Sequence, residues 1–154
     1  VGGKAEFMNL MNPLNKGQAN YSLVNGTLHG NPMAAVAGLA TLAELKKPEF
    51  YRNLHARADD LCKACQNVLD RNNVPAIAAG NASFWQILFM KSPPVNHADV
   101  MHSDQASTRA LDLAQMHEGL YVLPNVRRFV SAVHTDQDVE DTVRALDAAC
   151  KRIG

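Results

Sequence analysis

The sequence has no excess of charge of either sign, since 15 Lys and Arg are matched by 15 Asp and Glu. That balance argues against nucleic-acid binding, which needs clustered positive charge. Cysteine is scarce. Three cysteines in 154 residues cannot form a complete disulfide set, and a chain of this length needs no such staples, so reduced thiols are expected. No apolar run approaches the roughly 18 residues that span a bilayer. The opening VGGKAEFM also lacks the basic-then-apolar order of a secretory leader. No membrane partner is expected, and the default compartment is the cytoplasm. Repeats and low-complexity tracts are missing. A charged fraction of 19% is too low for a self-repelling disordered chain, whereas 47% hydrophobic residues suffice for a core. The chain opens on Val and a glycine pair, as in the middle of a loop, so it is expected to be a fragment of something larger.

Residues 1–32 are rich in Gly, Asn and Pro, with one short amphipathic piece at 4–11, and read as an approach to a site. Residues 33–43, MAAVAGLATLA, are small or apolar on every helical face, which describes a helix covered all round and joining two packed bodies. Pro32 suits the first helical position, where its missing N–H costs nothing, and Asn31 is placed to cap. Pro48 ends that helix. A second begins near Glu49 with Phe50, Leu54, Leu61, Cys65, Val68 and Leu69 on one face, and Arg52, Arg57, Asp60, Lys63, Asn67 and Asp70 solvated on the other. Asn72 and Asn73 stop it. Residues 74–79 and 84–90 are strand candidates around Gly80 and Asn81 and make a hairpin. The Pro-interrupted stretch 91–104 reads as a mobile loop. Ser103 is expected to cap a helix that turns Ala106, Ala110, Leu113, Ala114 and His117 inward and ends at Gly119. Short strands at 120–123 and 128–133 flank Pro124. Thr135 and Asp138 form a capping-box start for a last helix whose buried stripe is Val139, Val143, Leu146 and Cys150. Over 48–154 this order gives an α/β fold with a mostly antiparallel sheet covered by helices.

Few residues form a reactive constellation. Cys62 and Cys65 make a CxxC inside the second helix, without a second CxxC or a His pair, so one buried and one half-exposed thiol are expected rather than zinc ligands. His97 and His102 lack an HExxH pattern and read as solvated, and no metal site is expected. Ser22, Ser83, Ser92, Ser103, Ser107 and Ser131 have no GxSxG setting. The segment NGTLHGNP at 25–32 differs. There a Gly-flanked hydroxyl, Thr27, precedes a capped helix, an arrangement in which backbone N–H groups and the hydroxyl converge on an anion such as phosphate. Plain capping is the competing reading.

The run GTLHGNPMAAVAGLATL at 26–42 resembles the signature of class III aminotransferases, including the glutamate-1-semialdehyde aminomutase group, where a GT…GNP segment leads into an apolar helix. Residues 1–8 resemble that family's GG(R/K)xxxM segment, and HTDQDVEDTVRALDAA at 134–149 resembles its closing HTxxDIxxT helix. The resemblance implies the C-terminal portion of a fold-type-I pyridoxal-phosphate transferase. Residues 1–32 would end the large cofactor-binding domain, 33–47 would be the interdomain helix and 48–154 the small C-terminal α/β domain. It also implies pyridoxal 5'-phosphate as cofactor and a homodimer. In that homodimer Thr27 binds the phosphate of the neighbouring subunit's cofactor, with Gly26 allowing close approach. The family's Schiff-base lysine lies just upstream of the glycine pair, and the aspartate that pairs with the pyridinium nitrogen lies further upstream. No catalytic residue is therefore assigned within this segment, and Lys4 has no catalytic standing in the pattern.

The implied reaction moves an amino group between an amino acid or amine and a keto or aldehyde acceptor. After the GxYxxP segment the chain departs from the aminomutases by carrying Arg127 and Arg128. An arginine there could hold a substrate carboxylate through a forked pair of hydrogen bonds. Two solvated arginines at a strand edge are the competing reading. His29 departs as well, since the aminomutase pattern usually has Ser there. Both departures favour transamination over the intramolecular amino shift of an aminomutase. A non-catalytic dimerisation or binding module is the alternative from another class, and the apolar helix at 33–43 stands against it, because a free module would expose that surface.

Overall fold

A computed structural model describes residues 2–22, 26 and 28–154, which fall into two units, Val1–Glu44 and Leu45–Gly154. The first unit contains a single turn of helix, α1 (Ala5–Met8), two tight 3-10 turns at Asn9–Met11 and Pro13–Asn15, and most of the 14-residue helix α2 (Pro32–Leu45). The α2 start is as expected. Pro32 is its first residue, and the Asn31 Oδ1 accepts from the Met33 and Ala34 amides at 2.9 and 3.2 Å. The expected cover is not found among the described residues. No residue of α1 or α2 is buried, and Met33 and Leu39 are 79% and 67% exposed.

The second unit carries the core. Its elements are α3 (Phe50–Arg71), β1 (Ile77–Asn81), β2 (Phe84–Leu88), α4 (His97–Met101), α5 (Gln105–His117), β3 (Arg128–Phe129) and α6 (Asp136–Ile153). The strands form one sheet in the order β1-β2-β3, antiparallel throughout. α3 supplies Leu61, Cys65, Val68 and Leu69 to the core, and α6 supplies Leu146 and Cys150, at the spacing that puts them on single helical faces. Phe50, Leu54, Val139 and Val143 lie at the edge of those stripes, only partly buried. Thr135 and Asp138 form the expected capping box of α6.

Several local expectations are corrected. The hairpin turns at Ala82 and Ser83, because Gly80 and Asn81 are already paired with Trp85 and Phe84. Gly80 is required there by close packing, since a Cβ would sit 2.6 Å from the Phe84 carbonyl oxygen and 2.7 Å from the Trp85 Cβ. Within the stretch 91–104, Asn96 and Asp99 form a capping box for α4. α5 is capped by Asp104, whose Oδ1 accepts from the Ala106 and Ser107 amides, both at 3.0 Å, while the Ser103 hydroxyl donates to the Val100 carbonyl at 2.7 Å. The buried face of α5 is Thr108, Leu111, Asp112, Ala114 and Gln115, and Leu113 is 40% exposed. Residues 120–123 are not a strand, and β3 is only two residues long.

Candidate functional site

The segment before α2 is an exposed turn. The His29 amide donates to the Gly26 carbonyl at 2.9 Å, Gly30 holds the left-handed φ of 74° that glycine tolerates, and Asn31 then starts the helix. At Gly26 a Cβ would meet the His29 imidazole at 2.9 Å, so the missing side chain leaves room for that ring. Thr27 lies outside the described residues. Asn31 already occupies the Met33 and Ala34 amides, so those two helical N–H groups are engaged within the chain.

The two arginines part company in the structure. Arg128, in β3, is engaged within the fold, with 9% of its side chain exposed. Its Nη2 donates to Asp112 Oδ1 on α5, its Nη1 donates to Gln115 Oε1 at 3.1 Å, and its guanidinium lies over the Trp85 ring, 4.8 Å from the centroid. The Asp112 side chain is 3% exposed, and its other oxygen accepts from the Asn125 amide at 2.8 Å. Burial pushes the Asp112 carboxyl up and the Arg128 guanidinium down, and in each case the partner's opposite charge opposes the shift. Arg127 is exposed, with its guanidinium 5.8 Å from the Phe129 ring centroid. A solvated strand-edge arginine therefore describes Arg127 and not Arg128.

Both arginines line an open cleft of about 690 Å³, together with Trp85, Tyr121, Phe129 and His134. The His134 Nδ1 accepts from the Ser131 amide at 3.2 Å, and its carbonyl accepts from Arg57 Nη1. Asp112 and Gln115 were not among the residues singled out from the sequence. Their signal was two polar residues three apart flanking the helical face of Leu111, a spacing that only a buried cation on another element makes meaningful.

The three thiols are held away from the thiolate form. Burial pushes Cys65 up to about 12 and Cys150 to about 11, and Cys62, half-buried, donates to the Ala78 carbonyl at 3.2 Å. Among the described residues no group of three His, Cys, Asp or Glu side chains is placed to hold a metal ion. No described helix is long and apolar enough to cross a membrane.

No protein-family model matches the chain. A glutamate-1-semialdehyde 2,1-aminomutase of Laribacter hongkongensis is 35% identical over 154 residues, which is 99% of this chain and 35% of that protein. Among solved structures, an omega-transaminase from Sphaerobacter thermophilus superposes with a TM-score of 0.74 at 25% identity, covering 97% of this chain and 34% of that one. A transaminase with pyridoxal phosphate bound shares the fold at a TM-score of 0.74 and 16% identity, over 99% of this chain and 34% of that one. The chain spans about a third of the length of the relatives it matches.

Proposed function

As a class III aminotransferase-like chain of the glutamate-1-semialdehyde aminomutase kind, this protein, we propose, is the C-terminal portion of a pyridoxal-phosphate-dependent aminotransferase acting on small amino donors and carbonyl acceptors. The observation that carries the reading is similarity along nearly the whole chain to an aminomutase, joined to a shared fold with transaminases. The cofactor, when bound, supplies an electron sink that lets an amino group leave one carbon and join another.

The residues of this chain bind and orient. Thr27 donates its hydroxyl to the cofactor phosphate, Gly26 lets the turn approach closely, and in a homodimer this phosphate belongs to the neighbouring subunit's cofactor. Arg127 receives a substrate carboxylate at the cleft through two parallel hydrogen bonds. Arg128, committed to Asp112 and Gln115, stands behind it. The aminomutase reading is the second one, favoured by the names of the curated relatives.

The test uses the complete polypeptide of which this chain is a part. It is incubated with amino donors, alone and together with keto or aldehyde acceptors, and the products are quantified. Turnover that needs both partners supports transamination. Isomerisation of a single substrate with no acceptor supports the aminomutase, and no turnover with no retained cofactor leaves a non-catalytic module. Thr27→Ala in the same polypeptide is expected to weaken cofactor retention by about 1.5–3 kcal/mol, the worth of one hydrogen bond to a charged group. Equilibrium dialysis against free cofactor measures it, and unchanged retention would remove Thr27 from the site.

A further inference from the structure

We propose that Asp112 is a positioning residue for Arg127, an inference that rests on the reading of Arg127 as the carboxylate contact. The geometry is a clamp on both sides of one exposed residue. On one side the Asn125 amide is held at 2.8 Å by Asp112 Oδ2, at a residue whose left-handed φ of 61° asparagine tolerates and where the chain turns toward Arg127. On the other side Arg128 is tied to Asp112 Oδ1, braced by Gln115 and stacked on Trp85. Trp85 is also its register partner across the β2–β3 pair.

A single buried carboxylate on α5 thus grips the backbone two residues before Arg127 and the side chain one residue after it. The segment between is short and lies at a sheet edge, where β3 provides only two residues of pairing. The clamp adds to the Val126 amide's bond to the Leu123 carbonyl at 3.1 Å and to the contact of Arg127 with the Phe129 ring in setting the direction in which Arg127 enters the cleft. A side chain as rotamer-rich as arginine loses less freedom on binding an anion when its backbone is already fixed. Asp112 itself is too deeply buried to be the contact, so its influence passes through the loop.

The test measures binding of propionate, a minimal carboxylate, to the complete polypeptide by calorimetry, with the urea midpoint recorded for every variant. Three variants decide it, Arg127→Ala, Asp112→Asn and the double replacement Asp112→Leu with Arg128→Met. The double variant exchanges the buried ion pair for apolar packing and so separates stability from positioning. Arg127→Ala is expected to weaken propionate binding about tenfold. Asp112→Asn and the double variant are expected to weaken it about fivefold or more, the double variant doing so at an unchanged urea midpoint. If the natural protein does not bind propionate, or Arg127→Ala binds as well as it does, the Arg127 reading fails and this inference falls with it. If Arg127→Ala weakens binding but the double variant binds normally, the ion pair serves stability alone and only the positioning role is overturned. Should Asp112→Asn not fold, the double variant alone decides between positioning and stability.

Discussion

Leu39 on α2 and Leu146 on α6 are the same side chain near the middle of two helices, yet the first is 67% exposed and the second fully buried. The difference runs through the whole molecule. In residues 45–154 the long helices α3, α5 and α6 each bury one face in the core, whereas α2 is apolar on most faces and contributes nothing to a core among the described residues. Apolar content therefore does not by itself supply stability. Burial does, and it comes where the pattern leaves one face to be covered by elements the same chain provides.

The comparison can be broken most directly by the same truncation in both places. Leu146→Ala should cost about 2–5 kcal/mol, the transfer free energy of the lost methyl groups plus the cavity left behind. Leu39→Ala should change stability by less than about 0.5 kcal/mol, as an exposed substitution does. Urea denaturation of the two variants measures both, and equal costs would show that α2 is covered in solution.

A smaller effect sharpens the comparison at the helix caps. Thr135 and Asn31 both accept from the first turns of their helices, Thr135 from Asp138 at 3.2 Å and Asn31 from Met33 at 2.9 Å. Thr135→Ala is expected to cost about 0.5–2 kcal/mol in global unfolding. Asn31→Ala should leave the same transition where it was, because α2 buries nothing that the transition exposes. Hydrogen exchange of the α2 amides should rise in the second variant alone.

Acid is expected to act most gently, and on residues 45–154. Hydrogen bonds from Lys151, Asn72 and Arg71 hold the Asp147 carboxyl well below the usual carboxylate range. The bonds from Ser107 and Thr135 lower Asp104 and Asp138. A carboxyl lower in the folded chain than in the unfolded one contributes stability that is complete above the unfolded value, near pH 4, and lost as pH falls through the folded value. Asp112, raised by burial, runs the opposite way and offsets part of that loss. The urea midpoint should begin to fall below about pH 5 and go on falling below about pH 3, as the lowered carboxyls take up protons. Asp147→Asn should flatten the fall.

Much of the fold was legible because its signals are local. Asn31 with Pro32, and Thr135 with Asp138, mark helix starts through contacts spanning no more than three residues, and the stripes of α3 and α6 repeat along one element. The signature at 26–42 was legible for the same reason. Failures came where the deciding partner was distant. Of the inward face expected for α5 only Ala114 is buried, and Ala106, Ala110, Leu113 and His117 are exposed, since polar Asp112 and Gln115 look like solvent-facing residues until Arg128 is placed against them, 16 and 13 positions further on. The strand expected at 120–123 failed because apolar alternation gives a strand only where another strand offers its edge.

The sequence by itself determined the long helices, the starts of α2 and α6, the presence of a hairpin and the family signature, because capping and periodicity act over a few neighbouring residues. Only the tertiary structure decided which of two adjacent arginines is held by partners within the fold and which is exposed. Their local chemistry is identical, and the choice is made by a carboxylate on another helix whose own burial is tolerable only with that arginine beside it.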